Sequence, residues 1–223
     1  MKKAFSLLAV FMVAVMWSAT GFSAEKYVSG NIGISWPNDV KVSDEESAPE
    51  YVTENEFDSG ITLIGAYGTD FGDVRLETEL GYQQNDLQRT LEFEDGSLED
   101  EYEMNGDMSI ISILGNAYYD IAISEKVEFY LTAGAGVAFV SFGDIGEADD
   151  DAEDLHNVEA TAFAYQLGAG LAMPVADNIT LDARYRYFAT ADFTLDDTTI
   201  WWDDTHVTDL ATHSVLLGLR VTL

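Results

Sequence analysis

The sequence predicts an all-β protein: an eight-stranded, up-and-down antiparallel β-barrel that crosses a membrane. Three observations carry this reading. Eight segments alternate apolar and polar residues with period two. The connections between them alternate short and long. The polar face of the strands holds four of the five arginines, together with several glycines, which suits the inside of a narrow tube better than a watery exterior.

Residues 1–24 read as an export signal. Lys2 and Lys3 give a positive start, Ala4 to Trp17 is apolar apart from Ser6, and Ser18 to Ala24 is a small-residue tail. The run falls short of the ~20 apolar residues that span a bilayer as a helix. Cleavage is expected after Ala24, with Gly21 as the alternative because Phe22 is a poor residue near the cut. The barrel domain is then 25–223.

In the first strand Val28, Ile32, Ile34 and Trp36 oppose Ser29, Asn31, Gly33 and Ser35. Gly60–Thr69 follows, with the weakest alternation. In Val74–Gln83 the apolar positions Val74, Leu76, Leu80 and Tyr82 oppose Arg75, Glu77, Glu79 and Gln83. Ser109–Tyr119, Val127–Val140 and Thr161–Met173 form strands four to six. Strand seven, Ile179–Phe188, sets Leu181, Tyr185 and Tyr187 against Asp182, Arg184 and Arg186. The last strand sets Val215, Leu217 and Leu219 against Ser214, Gly218 and Arg220. Asp70–Asp73, Asp120–Lys126 and Pro174–Asn178 are the short connections. Pro37–Ser59, Gln84–Asp107, Phe142–Ala160 and Ala189–Ala211 are expected as long acidic loops. Those loops hold 31 of the 41 carboxylates and only Lys41 and Arg89 as cations, so one end of the molecule carries nearly all the charge.

Alternation fits a soluble lipocalin-like barrel as well as a membrane barrel, and the polar face decides between them. Arg75, Glu77, Glu79, Glu128, Asp182, Arg184, Arg186 and Arg220 share that face and sum to zero, as a closed, water-poor lumen requires. Gly134, Gly136, Gly168, Gly170 and Gly218 leave them room. Tyr27, Trp36, Tyr82, Tyr119, Phe139, Tyr185 and Tyr187 lie near strand ends and read as interfacial girdles.

The segments Tyr27–Gly33, Asn116–Asp120, Phe163–Gly170, Tyr185–Phe188 and His213–Arg220 resemble the OmpA-like, opacity-type outer-membrane β-barrel superfamily. The resemblance runs along the whole mature chain, strands rather than loops. It implies residence in a Gram-negative outer membrane, among lipids and lipopolysaccharide, with both termini in the periplasm. Leu223 departs from the terminal Phe usual there.

A formal charge of −31 excludes ordinary nucleic-acid binding. The absence of Cys removes disulfides and thiolate chemistry. Of the three histidines, His156, His206 and His213, none reproduces the His-x-Ser spacing that deacylases of this architecture use, so neither a nucleophile nor an enzyme is expected. No cofactor or built metal site is expected: Asp149–Asp154 lacks calcium-hand spacing and offers at most diffuse divalent-cation binding. Trp201 and Trp202 are candidate contacts for an extracellular partner. The expected function is a surface protein with a structural or interaction role, adhesion- or antigen-like. A narrow pore is the alternative, and a soluble ligand-binding barrel the third reading.

Overall fold

The computed structural model describes residues 24–43, 51–94, 96–147, 156–195, 205–208 and 210–223. Twelve strands follow in order: β1 Glu25–Pro37, β2 Val40–Ser43, β3 Tyr51–Phe57, β4 Gly60–Asp70, β5 Val74–Glu94, β6 Ser97–Ser124, β7 Val127–Glu147, β8 His156–Ala176, β9 Ile179–Thr190, β10 Phe193–Leu195, β11 Thr205–Thr208 and β12 Ala211–Thr222. Eight of them, β1, β4, β5, β6, β7, β8, β9 and β12, pair antiparallel with their neighbours. The ring closes where β1 meets β12, from Tyr27 opposite Thr222 to Pro37 opposite Thr212. Closure leaves no open edge within the wall, which is the condition for strands to cross hydrocarbon.

Period-two alternation decides which way the wall faces. On β12, Leu216 is 0% exposed and its neighbour Leu217 is 61% exposed. Ile32, Leu80, Ile113, Leu131, Leu167 and Leu171 likewise stand exposed on the outside. An exterior this apolar is stable against lipid and not against water, so the soluble barrel is set aside. Trp36, Tyr82, Tyr119, Phe139 and Tyr185 are exposed on the outer wall. Tyr27 is a correction: it shares a face with Ser29, is 1% exposed and points into the tube.

The short connections tighten into turns. Gly72 takes φ +99°, where L side chains are strained, and its N–H donates to Asp70 Oδ1 at 2.8 Å. β6 runs on through Asp120 to Ser124, and β8 through Pro174 to Ala176. The long connections depart further from expectation. Most of Gln84–Asp107 is not a loop but the continuation of β5 and β6, turning at Gly96. Pro37–Ser59 contains β2 and β3, and Ala189–Ala211 contains β10 and β11. These strands add a second sheet in the order β10, β11, β2, β3, β5.

The cause is burial. Val40, Met108, Ile110, Val140, Phe142, Phe193, Val207 and Leu210 form one apolar core at this end, with Phe57 packed against it. Acidic residues on the outward side mask that pattern in the sequence. On the β3–β5–β6 ribbon Arg89 bonds Glu56 at 2.6 Å and Glu101 at 2.8 Å, and both bonds hold its guanidinium pKa above the ordinary value, the Glu56 bond contributing most.

Candidate functional site

The interior of the ring is filled in levels. Nearest the short turns, Arg75 forms a two-pronged pair with Asp120 at 2.7 and 2.8 Å. Its guanidinium also lies 4.3 Å from the centre of the Tyr118 ring and 5.1 Å from that of Tyr130. Arg220 reaches Glu128 at 3.7 Å, and Tyr130 donates to Asp182 at 2.8 Å. Glu77 accepts from the Tyr118 hydroxyl at 2.8 Å and the Tyr27 hydroxyl at 3.0 Å.

One level up, Glu79 is fully buried between two arginines, Arg184 at 3.4 Å and Arg186 at 3.5 Å. Asn116 and Gln166 donate to the same carboxylate at 3.0 and 3.3 Å. Gln166 in turn accepts from Arg186 Nε, and Arg184 donates to Tyr118 at 2.7 Å. A water-poor charge is tolerated only with such company. Among the described residues Arg184 Nε and Nη2 and Arg220 Nη1 have no hydrogen-bond partner. Arg184 and Arg220 border a cavity of about 10 Å3, room for about one water molecule.

Above this network Thr212 donates to Gln83 at 3.2 Å, and Gln83 to Asn85 at 2.9 Å. The lining then turns apolar. Phe188 lies against Arg186, 4.6 Å from guanidinium to ring centre, and joins Leu114 and Met108 in the core.

All eight charged residues singled out in the sequence lie on the inner face of their strands, Glu128 at the mouth with its side chain 42% exposed. Arg75, Glu77 and Glu79 come from β5, Glu128 from β7, Asp182, Arg184 and Arg186 from β9, and Arg220 from β12. Sequence reasoning missed Asp120, which it assigned to a turn, and with it the partner of Arg75. Counting Asp120, the cluster carries one net negative charge. It also missed Asn116 and the hydroxyls of Tyr27, Tyr118 and Tyr130. The signal was present: extending the alternation of β6 past Leu114 puts Asn116, Tyr118 and Asp120 on the inner face. Trp201 and Trp202 lie outside the described residues. His213 is on the outer wall, its Nδ1 2.6 Å from the Tyr185 hydroxyl, whereas Ser214 is buried on the opposite face.

The glycines on this face have a measurable purpose. A Cβ on Gly170 would collide with the Tyr130 hydroxyl and lie 2.6 Å from the Ala183 carbonyl; one on Gly134 would collide with Asn116. Gly170→Val should therefore expel Tyr130 from Asp182 and cost roughly 1–3 kcal/mol in urea unfolding of the micelle-bound protein. A stability equal to wild type would show that the lumen has slack.

Comparison with known proteins agrees with this architecture. The family model for the outer membrane protein beta-barrel domain matches residues 5–220. Outer membrane protein PagN of Salmonella typhimurium is 28% identical over 206 residues, covering 83% of each chain. The crystal structure of Neisserial surface protein A aligns over 90% of this chain and 99% of its own, with TM-score 0.54 and 18% identity. The outer membrane protease OmpT of Escherichia coli aligns with TM-score 0.53 and 10% identity over 92% of this chain and all of its own. At that distance these two likenesses are of fold alone, and a fold that serves a surface protein and a protease does not decide between those roles. With its closed ring, its apolar outside and a family match along nearly its full length, the chain belongs to the outer membrane protein beta-barrel domain family and resides in the outer membrane of a Gram-negative bacterium.

Proposed function

We propose that the protein is a closed, non-enzymatic surface barrel, whose role is structural or interactive in the adhesion- or antigen-like sense and is exercised by the β-extension beyond the membrane. The observation that carries this reading is the filling of the tube. A buried charge network, whose cavity beside Arg184 and Arg220 has room for about one water molecule, is followed by an apolar core, which disfavours the narrow pore. In this reading the charge cluster is a plug that braces the wall. Met1–Ala24 serves as the export signal and is removed.

The extended end faces outward and the short turns face the periplasm. A site-specific protease sequence inserted after Gly96 should be cut in intact cells, while one inserted after Gly72 should be cut only after the outer membrane is permeabilised. Cleavage after Gly72 alone in intact cells would invert the barrel.

The carboxylates at the extended end are also proposed to gather divalent cations diffusely. Millimolar Mg2+ should raise the unfolding temperature more than NaCl of equal ionic strength. Equal effects would reduce the acidic end to screened charge.

A further inference from the structure

A cleft of about 360 Å3 opens on the outer wall where β1, β9 and β12 give way to β2, β10 and β11, within the ~300–1,000 Å3 typical of small-ligand sites. Its floor follows from the ladder. Ala211 of β12 pairs with Ala189 of β9, and Ala189 pairs with Tyr165 of β8. Both alanines lie on the outward-facing side of their strands, yet they are only 5% and 3% exposed. Neighbours taller than they are surround them and leave a hollow. Tyr165 stands at one side. Tyr187, one step along β9 and packed at 5.3 Å on the His213 ring, stands below.

The height of the cleft is fixed by the same ladder. Trp36, His213 and Tyr187 occupy one row across three strands, and such outward aromatic rows mark the boundary between hydrocarbon and headgroups. The hollow is the next row up. Its upper rim is polar: Asn38, whose N–H donates to the Ala211 carbonyl at 2.8 Å, with the exposed carboxylates of Asp39 and Asp192. Lys41, the one cation at the rim, is already drawn to Glu54 at 3.4 Å.

This chemistry selects a ligand. Carboxylates accept hydrogen bonds and donate none, so two of them at one rim, with the cation engaged elsewhere, repel phosphate and welcome hydroxyl donors. Aromatic faces beside a shallow apolar floor offer a surface for the C–H face of a ring. Flat, apolar on one side and ringed by hydroxyls, a pyranose sugar matches both. The geometry points to a saccharide site at the headgroup level of the outer leaflet, with Tyr165 and Tyr187 as platform, Ala189 and Ala211 as floor, and Asn38, Asp39 and Asp192 taking the hydroxyls. The assignment rests on the proposed orientation with the extended end outward, which the cleavage test after Gly96 and Gly72 checks separately from the binding test below.

A sugar could arrive there from a glycolipid of the same leaflet or from a free glycan in solution. The test separates the two with purified, refolded full-length protein in detergent, examined by native mass spectrometry. The probes are lipopolysaccharide truncated to its core sugars, phosphatidylethanolamine as a phosphate-bearing lipid without sugar, and free N-acetylglucosamine as an uncharged sugar without chains. Wild type should retain one lipopolysaccharide against a large excess of phosphatidylethanolamine. Ala189→Phe, which fills the hollow, should weaken that retention at least tenfold. Because Phe at a packed floor can disturb folding, Asn38→Ala with Asp192→Ala is the second variant; both positions are at the exposed rim, and the same loss is expected while the heat-resistant compact form persists on gels. N-acetylglucosamine retained where lipopolysaccharide is not would keep the sugar site and assign its source to solution. Equal retention of phosphatidylethanolamine and lipopolysaccharide, or binding unchanged in both variants, would overturn the proposal.

Discussion

Replacing Glu79 with Ala should be among the most destabilising single substitutions in the barrel, costing roughly 3–5 kcal/mol. The carboxylate is 0% exposed, accepts hydrogen bonds from Arg184, Asn116 and Gln166 at one oxygen and is ion-paired with Arg186 at the other. Its removal leaves two like charges side by side in the tube with nothing between them, and no solvent to dilute their repulsion. The measurement is urea unfolding in lipid vesicles, with Glu99→Ala on the exposed ribbon as reference, where a change within about 0.5 kcal/mol is expected. Adding Arg186→Ala to Glu79→Ala should recover part of the loss, since one of the stranded cations leaves too. A cost below about 1 kcal/mol, or no recovery in the double variant, would mean that water enters the lumen freely and the ion pairs do little.

The second large effect concerns conduction, and it separates two barriers that stand in series. Arg184→Ala with Arg186→Ala clears the charged level, yet Phe188, Leu114 and Leu216 are each no more than 1% exposed immediately above it, so planar bilayers holding this variant should remain nearly silent. Adding Phe188→Ala and Leu114→Ala should open small channels. Glu77, Glu79 and Asp182 still line the path, so these channels should favour cations. Phe188→Ala alone should cost roughly 3–5 kcal/mol, because the ring fills the core and covers the Arg186 guanidinium. Steady conductance in the wild type would sink the closed-barrel reading. Silence in the quadruple variant would place the seal higher, among Val40, Phe193 and Val207.

What the sequence disclosed and what it concealed have a common physical origin. Within the membrane the two faces of a strand meet opposite solvents, so Ser214 and Val215, or Arg184 and Tyr185, announce their sides by type. Past the membrane the outside becomes water. A strand such as β6 then carries Glu101 and Glu103 outward, and its local composition reads as a loop. The core that keeps it extended is assembled from Val40, Met108, Phe142, Phe193 and Val207, which come from five separate strands and form no local pattern. Tyr27 and Asp120 were misplaced for a related reason. Each sits near a strand end, where an aromatic is as apt for the interface as for the lumen and an acid as apt for a turn. Only the partner across the tube, Glu77 for Tyr27 and Arg75 for Asp120, decides. The saccharide cleft was invisible because its floor is made of two alanines, residues that carry no chemistry of their own.

The unequal strand lengths have a mechanical consequence. β6 has 28 residues and β9 has 12; at about 3.3 Å per residue and a tilt of roughly 40°, β6 climbs about 70 Å along the barrel axis, against an apolar band of about 25 Å. One side of the wall is thus a mast, and its two rails, β5 and β6, are the same unbroken strands that cross the membrane. A tug applied at the Gly96 turn passes irregularities in the β5–β6 ladder at Glu92–Phe93 and Asp86–Arg89, through which both strands remain extended. It runs straight down both rails into the ladders with β4 and β7, loading their hydrogen bonds lengthwise and all at once instead of peeling them singly. A cell held by that tip would be held by the full height of its wall.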